Sequence, residues 1–119
     1  IATKDLKSSL EFVQKNFEVL EVSEEIFDEN QNATLQMIKT KDLNIELVSG
    51  KVVEKLIASK ITYYHICYEV EDIYGKIEEF QKNGGAMLVS SVKPAILFDN
   101  RLVAFLMTPL GLVELLNAN

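Results

Sequence analysis

The sequence predicts an α+β fold in which one β-α-β-β-β unit is written twice. Three observations carry that prediction: an internal repeat at an offset of 67 to 68 residues, an amphipathic helix period in each copy, and short β-prone runs after each helix. At an offset of 67, Lys4-Asp5-Leu6 falls on Glu71-Asp72-Ile73, Leu10-Glu11 on Ile77-Glu78, and Val13-Gln14-Lys15-Asn16 on Phe80-Gln81-Lys82-Asn83. At an offset of 68, Ile45-Glu46-Leu47 falls on Val113-Glu114-Leu115. A helix match alone can arise by chance. A helix and a terminal strand in the same order and spacing arise so less readily.

The elements follow in order. Residues 1–3 read as the remnant of a first strand. Leu6, Leu10 and Val13 have the i, i+4, i+7 spacing of a helix with one apolar face. Asp5 stands where a carboxylate accepts the free N–H groups of a first turn, and Asn16 tolerates the left-handed conformation that closes a last one. The β-prone runs 17–22, 33–38 and 44–48 complete the first unit, and residues 51–59 read as a short linking helix. A strand over 63–70 opens the second unit. Ile73, Ile77 and Phe80 repeat the helix, with Asp72 at its start and Asn83-Gly84-Gly85 at its end. Strands over 87–90, 102–108 and 112–116 close it. The expected division is a first module over 1–50, a linker over 51–62 and a second module over 63–119.

Composition narrows the function classes. A net charge of −6 excludes nucleic acid as the expected partner, because phosphate binding needs a basic face. The longest strongly apolar run, Leu102-Val103-Ala104-Phe105-Leu106-Met107, is far short of the roughly 18 residues of a membrane span. The single cysteine, Cys67, excludes an internal disulfide and fits a reducing, cytoplasmic setting. The chain opens at Ile1 without a methionine or a signal-peptide pattern, so residues are expected to be missing from its front.

The only histidine, His65, lies in Tyr63-Tyr64-His65-Ile66-Cys67-Tyr68-Glu69-Val70. Strand alternation puts Tyr64, Ile66, Tyr68 and Val70 on a face toward the helices, and His65 on the other with Tyr63, Cys67 and Glu69. Cys67 reads as a small buried hydrophobe. Glu46 and Glu114 each sit in the centre of an apolar strand, where a carboxylate is unfavourable unless a cation or donor meets it. A histidine and carboxylates converging at repeat-equivalent places suit a divalent ion. The same repeat puts a twin of His65 at 65 − 67 = −2, three residues before Ile1.

The paired units, the HICYEVEDI segment, the LVAFL strand and the closing GLVELL resemble the vicinal oxygen chelate superfamily. Its members include glyoxalase I, methylmalonyl-CoA epimerase, extradiol dioxygenases and bleomycin- or fosfomycin-resistance proteins. The resemblance covers essentially the whole chain and implies two tandem modules forming a curved, eight-stranded mixed sheet around a groove. It implies a divalent ion (Ni, Co, Mn or Zn) held by Glu46, His65 and Glu114, with Glu114 also shuttling a proton. The implied reaction is a lyase or isomerase step by proton transfer next to a carbonyl, through an enediolate or enolate. Its substrate would be a thiohemiacetal or an acyl-CoA thioester. A non-catalytic small-molecule binder of the bleomycin-resistance type is the alternative. Arg101, which opens the strand carrying Phe105, is a candidate for an anionic substrate group, and Phe105 for substrate contact. Epimerase relatives carry a histidine-proline-lysine turn where this chain has Met107-Thr108-Pro109-Leu110. Glu29, loosely placed near an acid–base glutamate of those relatives, reads as a solvated turn. Pro94-Ala95-Ile96-Leu97-Phe98 reads as an apolar loop. Relatives of this kind are commonly homodimers.

Overall fold

A computed structural model describes residues 1–119, which divide into two compact units, Ile1–Tyr64 and His65–Asn119. In the first, Asp5 has extended backbone and its carboxylate accepts from the Ser8 N–H (3.3 Å) and the Ser8 hydroxyl (2.6 Å). That cap starts α1 (Leu6–Asn16), whose Leu6 and Val13 pack on Ile38 and Leu47. Strands β1 (Val19–Val22) and β2 (Ile26–Asp28) share one edge of β3 (Ala33–Thr40), and β4 (Asn44–Gly50) takes the other edge, all antiparallel. Ala2 bridges Val48 in parallel beyond β4. A 3-10 turn, Lys51–Val53, then runs into the short helix α2 (Glu54–Ala58).

The second unit repeats this plan. Strand β5 (Ile66–Val70) runs parallel to β9 (Gly111–Asn117), which pairs antiparallel with β8 (Arg101–Thr108). The outer edge of β8 is again shared by two short strands, β6 (Met87–Leu88) and β7 (Lys93–Ala95). Helix α3 (Ile73–Asn83), capped by the Asp72 carboxylate on the Gly75 N–H (3.1 Å), buries Ile73 and Ile77 against Ala104, Leu106, Val113 and Leu115.

The repeat holds through the helices and the paired strands β3–β4 and β8–β9, while at the outer edge Val22 faces Ile38 and Leu88 faces Leu106, an offset of 66 against 68. Helices α1 and α3 start and end 67 residues apart, and β3 and β8 start and end 68 apart. Met37 faces Glu46 across β3–β4, and Phe105 faces Glu114 across β8–β9. The slip from 67 to 68 has a definite location. Strand β7 follows β2 by 67, so the loop before the central strand has four residues (29–32) in one unit and five (96–100) in the other. The shorter loop has one left-handed residue, Asn32, and the longer has two, Asp99 and Asn100.

Several expectations are corrected. The strands form two hydrogen-bonded sheets, of four and five strands, in place of one eight-stranded sheet. The outer strand of each unit is broken by a serine. The Ser23 hydroxyl accepts the Met37 N–H (2.9 Å) and the Ser90 hydroxyl accepts the Phe105 N–H (3.2 Å), which replaces a carbonyl in the ladder and leaves β2 and β7 as separate strands. Lys93-Pro94-Ala95 is thus a strand and not part of a loop, and Ala95 is buried. The opening strand of the second unit begins at Ile66, not at Tyr63, because its partner β9 turns back into β8 just before Val113. With only β9 beside it, that strand leaves Ile66, Cys67 and Tyr68 exposed, so Cys67 is no buried hydrophobe and only Val70 packs toward the helix. Asn16 closes its helix through its side chain, which donates to the Phe12 carbonyl (2.8 Å), while Phe17 stays extended. Gly84 and Gly85 do take positive φ (81° each).

Candidate functional site

Alternation along β9 turns Val113 and Leu115 toward α3 and leaves Glu114 on the opposite face, next to Phe105 on the neighbouring strand. His65 immediately precedes β5 and reaches the same place. Its Nε2 lies 3.7 Å from Glu114 Oε1, and the two side chains are only 5% and 3% exposed. The Phe105 ring meets the imidazole edge-on, with centroids 5.2 Å apart and planes at 86°. An aromatic wall on one side and a carboxylate on the other thus fix the histidine ring.

The separation of 3.7 Å is too long for an N–H···O bond, and Glu114 Oε1 is buried with no hydrogen-bond partner. A buried carboxylate oxygen left in this way is unfavourable in the protein alone. Two donors on one divalent ion, each about 2.0–2.2 Å from it, stand roughly 3.0–3.5 Å apart. The imidazole and carboxylate are close to that spacing and are of the right donor types, so they fit two ligands of a metal ion. No group of three or more His, Cys, Asp and Glu side chains is gathered as a metal cluster.

Glu46 holds the equivalent rung of the first unit, opposite Met37, and is half-buried where Glu114 is buried. Its backbone carbonyl accepts from the Ile1 nitrogen (2.8 Å). Arg101 is engaged within the sheet: its guanidinium donates to Glu69 (2.8 Å) and its Nε to the Asn117 carbonyl (2.9 Å). Both candidates for substrate contact therefore have structural partners, Arg101 in Glu69 and Phe105 in His65. Glu29 is exposed in the turn after β2. The adjacent Asp28 is buried and holds that turn by accepting from the Asn30 N–H and the Gln31 amide (2.9 Å each). Sequence reasoning passed over Met87, which the register sets directly opposite Met107 on the face that carries Phe105. Only the strand register identifies it.

The Mycobacterium tuberculosis methylmalonyl-CoA epimerase structure is similar over 99% of this chain and 83% of its own, with a TM-score of 0.81 at 16% identity. The hypothetical protein BH1468 from Bacillus halodurans C-125 is similar over 100% of this chain and 90% of its own, with a TM-score of 0.76 at 21% identity. At these identities the likeness is one of fold. No curated protein matches the sequence. The family model described as Glyoxalase/Bleomycin resistance protein/Dioxygenase superfamily matches residues 1–105. The chain belongs to that superfamily.

Proposed function

We propose that this protein is a metal-dependent enzyme that moves a proton next to a carbonyl group, as a lyase of the glyoxalase I type or an epimerase of the methylmalonyl-CoA type. The observation that carries this reading is the buried Glu114 oxygen, which has no hydrogen bond and faces the His65 imidazole. His65 and Glu114 would hold the ion, one of nickel, cobalt, manganese or zinc. Glu46, the repeat-equivalent carboxylate, is the corresponding candidate ligand of the first unit, on the strength of the repeat. When bound, such an ion acts as a Lewis acid toward a carbonyl oxygen and acidifies the adjacent C–H.

The chain's own residues do the rest. Phe105 keeps the imidazole in one orientation and shields the carboxylate from water on that side. Glu114 accepts the proton at its buried oxygen, where no hydrogen-bond donor competes for it, and returns it. The substrate is a thiohemiacetal or an acyl-CoA thioester. The second reading, a small-molecule binder without chemistry, draws on the lack of a gathered three-donor cluster.

Elemental analysis after loading with each of the four ions separates the readings. Near-stoichiometric metal that is lost in His65→Ala and Glu114→Gln, with deuterium exchange at the carbon next to the carbonyl of a hemithioacetal or a 2-methylacyl thioester, supports the enzyme. Absence of retained metal in the parent protein, with no exchange on either substrate, leaves the binder.

A further inference from the structure

The face of the second sheet that carries Glu114 is covered at one end and open at the other. At the closed end Ala95, Val103, Leu116 and Phe98 pack together. At the open end Met107 stands opposite Met87, and both are exposed, at 46% and 63%. Val89, whose N–H donates to the Phe105 carbonyl (2.9 Å), continues that edge and is 49% exposed. Met107 is two residues along β8 from Phe105, hence about 7 Å from the rung that carries Glu114. An open depression of about 510 Å³ lies there, lined by Met87, Met107 and the Gly85-Ala86 and Thr108-Pro109 segments.

We propose that this strip is a subsite for an unbranched alkyl chain attached to the group that His65 and Glu114 engage. The protein would then favour carbonyl compounds with a medium-length aliphatic arm. The inference rests on the proposed function for its polar end and deepens it at the other. Four considerations select this occupant. The strip adjoins the polar pair through Phe105. It is three side chains wide, far below the roughly 800 Å² per partner of a stable protein interface. Its own side chains include no cation to receive an anionic arm: on the same face Lys93, opposite Val103, is about 13 Å along the strands from Met107, and Arg101, about 20 Å away, is held by Glu69. Methionine, unbranched and polarisable, adapts to a chain of variable length where a branched residue would not.

The test uses a homologous series of 2-oxo acids from pyruvate to 2-oxooctanoate and the matching 1-alkanols, with and without a loaded divalent ion. Calorimetry gives affinity. Methyl-labelled methionine resonances report position, since the chain has three methionines and, at fixed metal loading, Met37 opposite Glu46 lies away from the strip. The proposal expects affinity for the 2-oxo acids to rise about twofold to fourfold per added methylene. At fixed metal loading the Met87 and Met107 methyl signals should move further with each added methylene while Met37 shows no dependence on chain length, and the chain-length dependence of affinity should vanish in the Met87→Ser/Met107→Ser double variant. If 2-oxo acids bind with metal regardless of length, the subsite is overturned and the metal reading stands. If 2-oxo acids fail to bind but long alkanols still move Met87 and Met107, the metal reading fails and the subsite stands. Met87 and Met107 signals that change with protein concentration alone would place a second copy on the strip and overturn the proposal.

Discussion

The Ser8 hydroxyl, and after it the Ser8 N–H, hold the Asp5 carboxyl below the ordinary value of 3.8. A carboxylate with a depressed folded-state pKa adds stability above its unfolded value and loses it as pH falls through the folded one. Denaturation followed from pH 5 downward should therefore show a shallower acid limb for Asp5→Asn than for the parent, because asparagine keeps the cap but does not titrate. Glu114 is a matter of burial and not of capping. Its oxygen is desolvated without a hydrogen bond, so Glu114→Gln should raise the stability of the metal-free protein by about 1 kcal/mol. Chemical denaturation in the presence of a chelator measures this, and the same variant should lose metal uptake. His65, Glu46 and Glu114 were legible as candidates because the repeat and the apolar neighbours single them out. What sequence could not supply was the approach of His65 to Glu114, since His65 lies outside the β5 ladder and is oriented by Phe105 from a strand some forty residues on.

Among the elements, the two helices are nearly matched but differ at one capping position. Ser8 sits three residues after Asp5, and its counterpart after Asp72 is Gly75. A Cβ built on Gly75 comes within 2.5 Å of Asp72 Oδ2, the far end of a flexible side chain. The first helix shows how that end accommodates a larger neighbour, with Ser8 donating twice to Asp5. Gly75→Ser should therefore stabilise the protein by about 0.5–1 kcal/mol, through removal of a helical glycine and gain of the hydroxyl bond. Thermal unfolding would register the gain, and a loss would show that Asp72 cannot move. Helix existence, period and N-caps could be read directly from the sequence. The outer strands could not, because what divides them is a serine hydroxyl taking a carbonyl's place, and Ser23 and Ser90 look like ordinary polar residues in a β-prone run.

Across the whole molecule, Ile38 and Leu106 are repeat-equivalent at an offset of 68, and both are fully buried, each in its own core cluster. Ile38→Ala and Leu106→Ala should each cost about 2–5 kcal/mol, through lost transfer free energy and the cavity left behind. Paired denaturation curves check this. A near-neutral result at either position would mean that its cluster collapses around the gap. No helix is long and apolar enough to cross a membrane. The α+β class and the doubled unit were legible because the repeat shares its order and spacing. The division into two sheets was not, because it depends on which strand edges pair, and side-chain period is silent on that.

The extra residue in the loop over 96–100 is enough to bring the helices and central strands of the two units into correspondence, so the molecule contains its own substitution experiment. Equivalent positions hold Ser8 against Gly75, Asp28 against Ala95 and Met37 against Phe105. The Phe105 rung meets the histidine, and the Met37 rung shows the same position without an aromatic.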